Sequence, residues 1–168
     1  MEAKLGGREE LAPGPARWYG LRMTETADPF DLQRFVDAQS GVYERALGEL
    51  RQGAKRSHWM WYIFPQLRGL GHSLTAQKYG IASIEEARAF LAHPILGPRL
   101  AACTEAALAA DKASAAAIFP YPDDLKFRSC MTLFAQVAEA PAVFTTALNK
   151  YCGGEPDRET LRLLECGV

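Results

Sequence analysis

The chain has 168 residues, 48% of them apolar and 23% charged, which suffices for one domain to bury a core without disulfides and is too apolar for a disordered polypeptide. Lysine plus arginine (19) and aspartate plus glutamate (20) leave a net charge of −1, so there is no chain-wide attraction to nucleic acid or to an anionic membrane. Cys103, Cys130, Cys152 and Cys166 lie far apart, with no CxxC pair and no Cys/His cluster at ligand spacing. Reduced thiols in a cytoplasmic protein are therefore expected, with no metal and no cofactor.

Residues 1–27 mix glycine, proline and charge without apolar periodicity and read as a mobile tail, with Met23 an alternative start. They show no basic-then-apolar signal order, and the longest apolar run, Trp59 to Pro65, is too short to span a bilayer. A single helical domain is expected over residues 28–168. Asp28, Pro29 and Asp31 have the form of a helix start, with Phe30, Phe35 and Val36 on one face. A second helix from about Ser40 carries Val42, Tyr43, Ala46, Leu47 and Leu50, and Gly53 can close it in a left-handed cap.

Ser57 to Phe64 is nearly all apolar, so periodicity does not separate a helix from a strand there; the lack of a second strand-like run favours a short buried helix. Pro65 ends it, and Gln66 to Ser73 is a glycine-punctuated loop. Ser83 to Glu86 spells a capping box before Ala87, Phe90 and Leu91, and His93-Pro94 breaks the chain after it. Gly97-Pro98 opens an alanine-rich helix to about Ala110, and a turn over Ser114 to Phe119 follows. Asp123 and Asp124 begin a helix bearing Leu125, Cys130, Met131, Phe134 and Val137. Pro141 starts another, closed by Gly153-Gly154, and Asp157 caps a last one that buries Leu161 and Leu164. The expectation is an all-α fold, an irregular compact bundle of seven or eight short helices.

Charge is uneven along this neutral chain. Residues 41–80 hold six cations against two carboxylates, and residues 81–125 hold three against six. The basic half also carries Trp59, Trp61, Tyr62 and Phe64. Rings beside lysine and arginine suit a flat anion, the ring stacking while cations and loop N–H groups meet a phosphate. The plainer reading makes these aromatics core, with Lys55 and Arg56 as solvated charges at its rim.

Gly69-Leu70-Gly71 lacks the third glycine of a dinucleotide loop and the Gly-Lys-Ser/Thr of a P-loop, so its glycines serve a tight turn more readily than a phosphate. Arg68, His72 and Ser73 around them could still present donors to an anion. His58 and His72 are of the residue type that moves protons near neutral pH, although a histidine without a carboxylate partner is more often structural; His93 reads as a helix-end residue. Asp123, Asp124, Lys126 and Ser129 form a further group, in which Asp124 would cap the helix or act as a base and Lys126 and Ser129 share a face. No nucleophile elbow, HExxH or Cys-His arrangement occurs.

DPFDLQRFVDAQ, HWMWYIFPQLRGLGHS, AHPILGPRL and DDLKFRSCMTLF, in this order, resemble the family of domain of unknown function 1810, from about Asp28 to Leu164. The resemblance implies a compact, mainly helical fold and brings no activity. Some members carry the label calpastatin, a calpain inhibitor; such an inhibitor is disordered, whereas this pattern is periodic and core-forming.

Together these residues point to a cytoplasmic domain binding, with or without turnover, a phosphorylated or nucleotide-like metabolite between the Trp59 to Ser73 segment and the Asp124 to Thr132 helix. Lys55, Arg68 and Lys126 would neutralise charge, Trp59 or Tyr62 would stack, Gln66, Ser73 and Ser129 would contribute polar contacts, and His58 or Asp124 would handle a proton. The competing reading is a helical module without catalytic activity that docks a partner protein through the same aromatic and basic surface. Nucleic acid is the weaker third, limited to single strands by stacking.

Overall fold

The computed structural model describes residues 27–167, so the tail read over residues 1–27 lies outside the described residues but for Ala27. They form nine α-helices and no strand: α1 Gln33–Gln39, α2 Tyr43–Arg51, α3 Met60–Ile63, α4 Leu74–Tyr79, α5 Ile84–Ala92, α6 Leu96–Ala109, α7 Asp123–Ala135, α8 Val143–Cys152 and α9 Arg158–Glu165. A single 3-10 turn, Ala115–Ala117, stands between α6 and α7. The all-α bundle expected from the sequence is the fold, with one helix more than anticipated.

That helix is α4. Its six residues carry no apolar stripe, and Leu74 points to solvent, so periodicity had nothing to register there. What starts it is Ser73, whose hydroxyl accepts the Ala76 N–H at 3.1 Å. A lone parallel bridge between Leu67 and Ile81 ties the two ends of the loop and α4 together. The start of α1 also differs from expectation. The helix begins at Gln33, because residues 28–31 form a turn with Asp31 at φ 51°, and the Asp28 carboxylate reaches over it to accept the Gln33 N–H at 2.9 Å.

Several local readings hold in detail. Gly53 adopts φ +69° after α2, and Gly153 sits left-handed after α8. Asp157 accepts the Thr160 N–H at 2.9 Å at the start of α9. The capping box is only half made: Ser83 accepts the Glu86 N–H, but Glu86 Oε2 turns to the Ala82 N–H at 2.7 Å and its Oε1 to Arg34 at 2.6 Å. Arg34 also donates to the carbonyls of Phe30, Asp31, Lys78 and Gly80, so one guanidinium fastens α1 to the α4–α5 connection. Leu161 and Leu164, expected inside, are half-buried beside a cleft, and the fully buried residue of α9 is Thr160.

The core is aromatic. Phe35 meets Phe90 edge-on at 5.1 Å, Phe90 lies 5.4 Å from Phe134, and Phe119 stacks on Phe127 at 4.6 Å, with Phe64 edge-on to both of the latter. Helix α7 runs through the middle. Phe127, Ser129, Cys130, Met131, Thr132, Leu133 and Phe134 are all buried, the mark of a helix enclosed on every side. Its first turn, at the edge of the core, is where the candidate site begins.

Candidate functional site

The residues leading into α3 have no regular backbone pairing, so side chains must hold them. Glu49, on the last turns of α2, does this with both carboxylate oxygens. Oε2 accepts from the N–H groups of Arg56 at 2.7 Å and Ser57 at 3.1 Å and from the Trp59 indole at 2.9 Å, while Oε1 accepts from the Ser57 hydroxyl at 2.5 Å. Burial alone would raise the Glu49 pKa, but the Ser57 hydroxyl, the Arg56 N–H and the indole outweigh it and bring the value down to about 2. The Lys55 N–H donates to the Ile118 carbonyl at 2.8 Å, and Gln39 donates to the Tyr62 carbonyl at 2.8 Å. The stretch from Lys55 to Tyr62 is thereby fixed at both ends.

Against it stands the first turn of α7. Asp123 and Lys126, three apart, share a helix face. Lys55 Nζ approaches Asp123 Oδ2 at 2.7 Å and Lys126 Nζ approaches Asp123 Oδ1 at 2.9 Å, so one carboxylate lies between two ammonium groups. All three side chains are at least four-fifths covered. Burial pushes the Asp123 pKa up, yet the two lysines prevail and hold it below the ordinary carboxylate value. Lys126 also lies 4.4 Å from the centre of the Trp61 ring, and Lys55 lies 5.1 Å from that of Trp59.

Two adjoining hollows flank the Trp61–Lys126 pair, which lines both. The first, about 290 Å³, is bounded by Lys55, His58, Trp59, Tyr62, Thr75 and Asp123. The second, about 270 Å³, is bounded by Gln66, Leu70, Gly71, Leu125, Ser129 and Asp157. Gly69, at φ +102°, makes the sharp turn below it, and a side chain on Gly71 would meet Ala76 at 2.8 Å and the Trp61 ring at 3.3 Å. The glycines thus serve the turn and the seating of Trp61.

Of the residues picked out from the sequence, Lys55, His58, Trp59, Tyr62 and Lys126 come together at the first hollow, and Gln66 and Ser129 join Lys126 at the second. Trp59 is 1% exposed with its indole spent on Glu49, which closes it to a stacking ligand; the accessible ring is that of Trp61, for which residue spacing offers no preference. Ser129 is buried and donates its hydroxyl to the Leu125 carbonyl. Three residues stand elsewhere. Arg68 is exposed and donates to the Gly80 carbonyl at 3.3 Å, and Ser73 uses its hydroxyl as the α4 cap. Asp124 is turned by the helical step away from Asp123 into a separate hollow of about 220 Å³ with Arg128, Tyr151 and Cys152.

Neither aspartate caps α7, whose N-terminus has no side-chain cap; Asp123 is instead the counter-ion of two lysines. A roomier cleft of about 490 Å³ beside Ile84, Glu85, Leu161, Leu164 and Glu165 has no cation on its walls. The buried thiols are inert, Cys103 being pushed up to about 12 and Cys130 well above its ordinary value by burial. Among the described residues no cluster of histidine, cysteine and carboxylate could hold a metal ion, and no helix is long and apolar enough to cross a membrane.

Fold and site together define an aromatic-cored helical domain with a lysine–aspartate–lysine cluster set beside an accessible tryptophan. The chain belongs to the family described as Protein of unknown function (DUF1810), whose model matches residues 29–164. Among solved structures it is similar to the conserved hypothetical protein Rv1873 from Mycobacterium tuberculosis, at 54% identity and a TM-score of 0.80, over 82% of this chain and 99% of that one. No curated protein matches.

Proposed function

We propose that the hollow beside Trp61 binds a small anionic molecule carrying a flat ring, of the phosphorylated or nucleotide-like kind. The observation that supports this most is the state of the two lysines. Each ammonium has three donor hydrogens. Lys55 directs hydrogen bonds to the Ser57 carbonyl and Asp123, and Lys126 to Asp123 alone. Donors therefore remain on both, beside one shared negative charge, and the cluster carries a net positive charge that an incoming phosphate or carboxylate would meet. Trp61 supplies a ring next to Lys126, Tyr62 lines the same hollow, and His58, exposed at its edge, would exchange a proton with a bound ligand.

Each hollow is near the lower end of the range for small-molecule sites, so the fit is for a head group and one ring. The test is thermal-shift and calorimetric titration with nucleoside monophosphates and phosphorylated sugars. Binding should raise the melting temperature, and Lys126→Gln should weaken it by roughly tenfold or more, the loss of one charge-assisted contact. If no compound binds at millimolar concentration, or if Lys126→Gln binds as the parent does, the assignment fails.

A further inference from the structure

The first hollow is cationic, with Lys55 and Lys126 about Asp123, whereas the second sets Lys126 against the carboxylates of Asp157 and Glu159; large apolar side chains stand along the stretches that line both. Four large apolar side chains stand out as exposed among the described residues, and three of them belong to the chain stretches that line these hollows. Leu74, 84% exposed, lies between Gly71 and Thr75, which line the second and first hollows. Tyr121, 80% exposed, precedes Pro122 of the second hollow, and Leu125, 50% exposed, lines it directly. The start of α4 thus supplies one apolar lip and the entry to α7 the other, since the chain neighbours of these side chains line the hollows that hold the Lys55–Asp123–Lys126 cluster and Trp61. Isolated apolar residues on a surface are ordinary; three in the short stretches that line a pair of adjoining hollows are a pattern that calls for an occupant.

We propose that the ligand of this hollow is an amphipathic anion, with a phosphate or carboxylate head on Lys55 and Lys126 and an aromatic or branched aliphatic body lying over Leu74, Tyr121 and Leu125. This rests on the anion-binding reading above and narrows it. A wholly polar ligand, such as a sugar phosphate, would leave the lips in water. A ligand with an apolar body covers them and removes its own apolar surface from water in the same step, while its head answers the positive charge beneath.

The experiment is an NMR titration of the full 15N-labelled chain, which reads millimolar affinities, with inorganic phosphate, phenyl phosphate, hexyl phosphate and 1-naphthyl phosphate, and separately with a short apolar peptide bearing a free C-terminal carboxylate. Affinity should climb along the series, with 1-naphthyl phosphate roughly tenfold or more tighter than inorganic phosphate, as partial burial of its two fused rings predicts. In the Leu74→Ser/Tyr121→Ser double variant, whose altered side chains are largely solvent-exposed, inorganic phosphate should bind as to the parent while the advantage of the naphthyl ester collapses. Equal affinities along the series, or an advantage that survives in the double variant, would overturn the amphipathic ligand and leave the anion site standing. Absence of binding by every compound would remove the anion site and this inference together. Binding of a short peptide through its free C-terminal carboxylate, with none of 1-naphthyl phosphate, would overturn the small-molecule assignment in favour of a polypeptide end.

Discussion

Replacing Glu49 by glutamine tests how the site is held. The carboxylate's ordinary pKa of 4.5 falls to about 2 in the folded protein, so its ionisation stabilises the fold by about 3 kcal/mol at neutral pH. Because the folded value is the lower one, this contribution is complete above pH 4.5 and drains away as the pH falls toward 2, at up to about 1.4 kcal/mol per pH unit. Glutamine keeps the shape and one acceptor oxygen, and the Ser57 hydroxyl can rotate to accept from the new amide, so the variant loses mainly the charge. Urea unfolding of parent and Glu49→Gln, followed by circular dichroism from pH 7 to pH 3, should show a stability gap of about 3 kcal/mol narrowing to roughly 1.5. A gap that stays level over this range, or one below about 1 kcal/mol at pH 7, would refute the view that a charged Glu49 clamps the segment.

Asp123→Asn removes the shared counter-ion: affinity for aryl phosphates should rise by roughly tenfold at low salt and the gain should shrink at high salt, read by calorimetry, with a modest loss of melting temperature. Arg34→Met and Glu86→Gln each strand a buried partner and should cost about 3 kcal/mol in urea unfolding, while the double variant costs clearly less than the two combined. Gly97→Ala places a methyl 2.0 Å from the Leu91 carbonyl oxygen and should lower the melting temperature sharply or abolish soluble expression. Gly48→Ala, inside α2 with nothing near, should stabilise by about 0.5–1 kcal/mol.

Most of the helices were legible because their signals are local. Gly53 and Gly153 announce helix ends through backbone freedom, Asp157 and Ser83 announce starts through a short acceptor, and the buried face of α2 follows from spacing alone. Helix α4 escaped because it is held by its cap and a bridge across its ends, with its most apolar residue outward. In the site, Lys55 and Lys126 were identified because cations beside aromatics stand out in a neutral chain. The choice between Trp59 and Trp61 was not available from a run in which every residue is apolar or aromatic. It is made by Glu49, ten residues upstream, which draws the first indole inward and leaves the second at the surface. Asp123 shows the same limit: an acid at a helix start satisfies the helix-start rule by itself, and only tertiary packing of Lys55 against it shows the other use.

The same packing explains why the aromatic run served two readings at once. Across α3 the chain turns by about a hundred degrees per residue, so Trp59, Ile63 and Phe64 face the core while Trp61 and Tyr62 look toward α7 and α4. The core half anchors the segment: Phe64 packs on Phe119 and Phe127, and Phe127 directly follows Lys126 on α7. The rings that stabilise the domain therefore set the distance between Lys55 and Lys126. A cavity-making change such as Phe127→Ala would act on both, costing roughly 3–5 kcal/mol of stability and loosening the lysine pair around Asp123. In this fold an anion site of fixed geometry and an aromatic core are consequences of one arrangement, because the residues that make the site are next in sequence to those that make the core.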